Sequence, residues 1–208
     1  MTHTLHRMGD TDSLCEDYVL LVLPARGINL EGSEEKMKQI WEVISHYEAG
    51  LTNYGNLTDG NRHRTDLEAF KEVNSRISHA VFKDRESLKA CLKEIKEADF
   101  GISMIVSGIE EEVHKVCDEI GLTPHTANYS LGFHGKTEKL PSQPVLEITT
   151  MCGHALVSKN LVGKMVEDIK NGERTASEAA VELSRQCECG IFSPYRAEKL
   201  LKRLASDA

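Results

Sequence analysis

Tyr18-Val-Leu-Leu-Val-Leu23 constrains the fold more than any other stretch. It is an unbroken apolar run closed by Pro24. So short and uniform a run predicts a buried strand, and the rest of the chain must supply the layers that cover it. After Pro24 the apolar spacing turns helical. Met37, Ile40, Trp41, Ile44 and Tyr47 fall on one face of a helix that Ser33 can cap and Gly50 can end. Leu51–Arg64, rich in Asn and Gly, reads as a long loop, and Asp66–Arg76 as a short helix.

Ser78–Phe82 and Phe100–Val106 are further strand candidates. Between them Asp84 caps a helix striped by Leu88, Cys91, Leu92 and Ile95. Ser107 and Glu110 form a capping-box pattern before a helix carrying Val113, Val116, Cys117 and Ile120. Thr126–Phe133 and Val145–Thr149 are expected as two more strands. Beyond Cys152 the texture is helical throughout. One stripe, from Leu156 through Leu161, Val162, Met165, Val166 and Ile169, stops at Asn171-Gly172. Thr175 and Glu178 open a second helix, and Ser193-Pro194 opens a third that carries Ala197, Leu200, Leu201 and Leu204. The expectation is an α/β or α+β fold. A small mixed sheet forms a ferredoxin-like or doubly wound core over 1–149, and a three-helix, metal-binding appendage packs on it over 150–208.

Composition narrows the function. The 208 residues carry 25 Lys+Arg against 33 Asp+Glu, a net charge of −8, which argues against a broad nucleic-acid surface. No apolar stretch approaches the ~20 residues of a membrane span, and MTHTLHRMGD lacks the apolar centre of a signal peptide. The expected setting is the cytoplasm, with no membrane or nucleic-acid partner and an open question of oligomeric state. G-x-G-x-x-G, Walker and G-x-S-x-G motifs are absent from the sequence.

The six cysteines divide by position. Cys91 and Cys117 lie in helical apolar stripes and read as small core residues. Cys15 sits in a polar stretch without an assigned role. Cys152, Cys187 and Cys189 occupy loops, in Thr150-Met-Cys-Gly-His154 and Gln186-Cys-Glu-Cys-Gly190. Two short antiparallel helices between these loops would bring their outer ends together, so Cys152, His154, Cys187 and Cys189 converge as a Cys3His ligand set. Zinc suits that set and is slightly favoured, and an iron–sulfur cluster follows closely.

The remaining polar candidates surround this centre. On a strand at 126–133, Asn128 would share a polar face with His134, and His125 stands just before it. His154, His134 and His125 are therefore the expected acid–base groups, with Asn128, Arg62 and Arg64 as substrate contacts. The histidines of Thr2-His-Thr-Leu-His-Arg7 read as part of a loosely held tail. The functional expectation is a metal- or iron–sulfur-dependent enzyme performing lyase- or hydrolase-type chemistry on a small polar metabolite. The alternatives are a non-catalytic binding protein with structural zinc and a redox module.

Overall fold

The computed structural model describes residues 2–72 and 75–206. Its sheet contains β1 (Tyr18–Leu23), β2 (Leu51–Asn56), β3 (Gly60–Asn61), β4 (Ser78–Phe82) and β5 (Ser103–Ser107), in the spatial order β3-β2-β4-β1-β5. Every pairing in it is antiparallel. Helix α1 (Thr11–Leu14) precedes β1, α2 (Glu34–Ser45) connects β1 to β2, and α4 (Arg85–Ala98) connects β4 to β5. Two interleaved strand–helix–strand units thus produce the ferredoxin-like arrangement rather than the doubly wound one.

The period-two alternation of β1 and β4 explains why their sequences are so uniformly apolar. Tyr18, Leu20 and Val22, with Ala80 and Phe82, enter one core together with α2, α4 and α5 (Glu110–Glu119). Val19 and Val81 point to the opposite face. There they meet α6 (Gln143–Thr149), α7 (Lys159–Lys170), α8 (Ala176–Arg185) and α9 (Pro194–Ser206). Both faces are covered, and each fully buried Val or Leu contributes about 1.5–3 kcal/mol. In the first core the Trp41 and Phe70 rings meet edge to face, with centroids 4.7 Å apart.

Most helix starts follow the expected chemistry. Asp66, Asp84, Ser158 and Thr175 each accept a backbone N–H in the first turn of the helix they cap. Thr175 and Glu178 form a full reciprocal capping box. Thr175→Ala should cost about 1 kcal/mol, a fall of roughly 2–4 °C in Tm by circular dichroism. Two proposed caps fail. Ser107 Oγ donates to Thr4 Oγ1 instead of capping α5, and Ser33 Oγ donates to the Leu30 carbonyl.

Other boundaries also need correction. Leu51–Arg64 is not a loop, because it contains β2 and β3. Its Asn53, Asn56 and Asn61 are buried; side-chain hydrogen bonds offset the polarity of Asn53 and Asn61, and Asn56 accepts through Oδ1 while its Nδ2 has no hydrogen-bond partner among the described residues. Thr126–Phe133 forms no strand, and with Leu131 84% exposed its alternating pattern reflects no buried face. Val145–Thr149 belongs to α6, whose first turn contains proline. The helix whose apolar stripe is expected to start at Leu156 begins at Lys159, leaving Leu156 exposed. The short helix expected through Arg76 is α3 (Leu67–Lys71), and positions 73–74 lie outside the described residues. Among the described residues no helix is long and apolar enough to cross a membrane.

Candidate functional site

On the face of the sheet turned towards α6–α9, two loops meet. The first leaves α6 and carries Cys152, whose carbonyl accepts from Ala155 N–H at 2.9 Å. The second leaves α8. Cys187 N–H donates to Ser184 O at 3.1 Å, and Gly190 N–H closes the turn on Cys187 O at 3.0 Å. The three sulfur-bearing residues are buried, with exposures of 2%, 0% and 0%.

The polar side chains of β2 and β3 hold the second loop. Asn61 Nδ2 donates to the Cys187 carbonyl at 3.0 Å, and Asn53 Nδ2 donates to Phe192 O at 2.8 Å. The loop lies flat against β2. A Cβ on Gly190, which has φ +72°, would stand 2.1 Å from Tyr54 O, and one on Gly55 would stand 3.1 Å from the Cys189 carbonyl carbon. Only glycine permits this backbone-to-backbone approach.

The thiols neighbour one another in sequence, with Cys187 acting on the titration of both Cys152 and Cys189. The neighbouring Cys187 thiol, then burial, raises the Cys152 pKa. At Cys187 the Cys152 thiol acts downward. The Cys189 thiol and burial outweigh this, and its pKa rises to about 12. At Cys189 the neighbouring Cys187 thiol pulls the pKa below the ordinary thiol value. Backbone N–H groups also face each sulfur: Leu156 and His154 at Cys152, Phe192 at Cys187, and Ile191 at Cys189. Such donors favour thiolate over thiol.

His154 adjoins the end of the chain, its Nδ1 3.6 Å from Cys189 Sγ. Its ring stacks on His3, centroids 4.7 Å apart at 21°. His3 Nε2 in turn faces His79 Nε2 at 3.1 Å. His79 lies on β4, 2% exposed, and burial pushes its pKa down to about 3. Burial also lowers those of His3 and His154, so neutral imidazoles are favoured at all three positions. Among the described residues no group of three or more His, Cys, Asp or Glu side chains already surrounds a common point as metal ligands do. The contacts run in sequence instead, from Cys152 through Cys187 and Cys189 to His154.

The N-terminal segment closes the arrangement. Arg7 donates from Nη1 to Met151 O at 2.8 Å and from Nη2 to Ile191 O, tying the two cysteine loops together. Its Nε lies 3.1 Å from Asp17 Oδ2, and Arg196 Nη1 approaches the same oxygen at 3.2 Å. The side chains of this ion triad are 0–5% exposed.

The other expected site residues lie apart from the sulfurs or beside their loops. Arg62 Nη1 donates to the Thr52 carbonyl at 2.7 Å, bracing β2. Arg64 pairs with Glu188, between Cys187 and Cys189, at 2.7 Å. His125 bonds Thr126 at 2.8 Å, and His134 Nε2 donates to Leu131 O at 3.0 Å. These two histidines and Asn128 occupy an exposed segment that meets the N-terminal segment where His6 contacts Ser130 and Phe133. His79 escaped sequence reasoning because one histidine in an apolar strand reads as core, and His3 because a terminal His-x2-His reads as tail. Comparison with protein-family models, curated proteins and solved structures finds no match for this chain.

Proposed function

We propose that the chain is a metal-dependent protein with its centre at Cys152, Cys187, Cys189 and His154, and that it is an enzyme acting on a small polar metabolite. One observation carries the metal reading: three buried sulfurs, each faced by backbone N–H donors, form a chain that ends 3.6 Å from an imidazole nitrogen. Thiols in an apolar core need no such donors, whereas metal-bound thiolates do. The spacing also suits zinc. Zn–S of ~2.3 Å and Zn–N of ~2.0–2.1 Å in a tetrahedron require an S···N edge of about 3.5–3.6 Å. Zinc is the first choice and an iron–sulfur cluster the second.

Exposure of His154 supports catalysis, since solvent and a small substrate reach that side of the centre. Arg64, beside the Cys187–Cys189 loop, supplies a cation for a carboxylate or phosphate on the substrate. Cys152, Cys187, Cys189 and His154 would hold the ion, which would supply Lewis-acid polarisation for hydrolase- or lyase-type chemistry.

A structural zinc is the second reading. It is favoured by the burial of all three sulfurs and by two shallow clefts, lined by Leu51, Lys83 and Tyr195 and by Arg174, Glu178 and Arg185, that include no cysteine. Elemental analysis and a visible spectrum of protein purified without oxygen test both readings. One zinc, lost in Cys187→Ser, is expected. A brown, iron-containing protein selects the cluster, and metal-free protein that takes up neither ion refutes the metal centre. An azide-dependent change in the cobalt(II) spectrum marks an open, catalytic position, and its absence favours the structural reading.

A further inference from the structure

We propose that residues 126–131 are an exchanged strand: in a two-fold dimer each copy lays this segment along the free edge of β5 in the other. The inference is independent of the metal reading and uses none of its residues.

The sheet supplies the acceptor. β5 ends it, and among the described residues its only strand partner is β1. A strand in that place leaves a row of backbone N–H and C=O groups without ladder bonds. Ser103 is exposed and Met104–Ser107 are only half-buried, whereas β4 is buried along its whole length. Natural edges are usually blunted by charge, proline or a bulge, but Ser-Met-Ile-Val-Ser contains neither a charge nor a proline and pairs with β1 in unbroken register. The opposite end of the sheet offers no such template, because β3 has two residues and both are buried.

The donor is the connection after α5. Positions 122–136 form neither helix nor strand, which is long for a connection inside a compact domain. Within it Ala127, Tyr129 and Leu131 alternate with Thr126, Asn128 and Ser130, the period of a strand with one apolar face. That face has no cover: Tyr129 is 60% exposed and Leu131 84%. The segment is nonetheless held in place. Tyr129 Oη donates to Glu110 at 2.6 Å, and Ser130 Oγ meets His6 Nδ1 at 2.8 Å. Glu110 follows β5, so the segment passes the end of its own edge strand and makes no ladder with it.

A second copy is the occupant that fits. Each chain has one unpaired strand-like segment and one free edge, so a two-fold axis satisfies both at once and leaves no open end. Charge agrees. Residues 123–137 contain no acidic side chain, in a chain of net charge −8, while β5 leads directly into Glu110, Glu111 and Glu112. The segment therefore approaches that acidic turn without like-charge repulsion. The half-buried Met104, Ile105 and Val106 are apolar neighbours for Tyr129 and Leu131. Backbone ladder bonds together with burial of alternate side chains are the forces of strand addition.

The test is sedimentation velocity of the full chain under reducing conditions, from ~1 to ~100 µM, combined with amide hydrogen exchange. A dimer is expected, with the amides of 103–107 and 126–131 protected together and both released on dilution. Leu131→Lys should raise the dimer dissociation constant at least ~10-fold and remove both protections. Exchange in β1 and β4 should stay as in the wild type, since the Leu131 side chain lies in solvent within the single chain. A chain that is monomeric at every concentration overturns the inference and leaves the apolar row to a different protein. Protection of 126–131 in a monomer overturns it by placing the segment on its own sheet. A dimer that Leu131→Lys does not weaken, or one whose 103–107 amides exchange freely, overturns it as well.

Discussion

Asp17→Asn should lower stability by about 3–5 kcal/mol, a fall of roughly 6–20 °C in Tm. The carboxylate is buried and serves two buried guanidinium groups, Arg7 at 3.1 Å and Arg196 at 3.2 Å. Asparagine preserves the shape and removes the charge, leaving two cations without compensation in a low-dielectric interior. Burial already lowers the Arg196 pKa, with Asp17 acting in the opposite direction. Loss of Asp17 removes that opposition, and the two guanidinium groups then repel each other. The N-terminal segment should loosen as well, because Arg7 is held by Asp17 on one side and by Met151 and Ile191 on the other. Urea unfolding of both proteins measures the effect. A loss under 1 kcal/mol would mean that water reaches the triad and that it does not anchor the N-terminal segment.

Gly190→Ala should detach the Cys187–Cys189 loop from the sheet. The left-handed backbone at φ +72° costs alanine about 1–2 kcal/mol by itself. The overlap adds more, since Tyr54 O and Gly55 N are main-chain atoms within a paired strand and have no rotamer by which to retreat. The expected readout is chemical. Cys187 and Cys189 are fully buried and should react slowly with a thiol reagent in the native protein, and rapidly in the variant under conditions where it remains folded. Unchanged thiol reactivity would show that the loop tolerates the side chain by moving as a unit.

How far the fold could be read from the sequence depended on whether a residue's partner was local. Thr175, Asp84 and Asp66 bond within three residues of themselves, and their helices begin where the sequence places them. Asn53 and Asn61 bond across 139 and 126 positions, so their polarity looked like solvent exposure when it was buried pairing. The segment 126–133 erred in the opposite direction: alternation without a neighbouring strand leaves its apolar side chains in water. The cysteines could be grouped because two amphipathic helices of readable length separate their loops, and those loops do meet. His3 and His79 could not be added, since a separation of 76 positions has no periodicity to reveal it.

Arg7 meets Ile191 across 184 positions of sequence, which has a consequence in time. At a synthesis rate of roughly 5–20 residues per second, the N-terminal segment waits about 10–40 s for its partners to be made. Through that interval the sheet can form and bury its first face, because α2 and α4 are already available, while the second face and residues 3–8 stay bare. Cys152 appears before Cys187 and Cys189, so a thiol without its neighbours meets the surrounding medium first. Helix α9, made after the other helices of the second face, delivers Arg196 to Asp17 and completes the ion triad. Packing around the cysteine loops thus waits for α9, and a nascent chain stalled before α9 should carry an ordered sheet with reactive thiols.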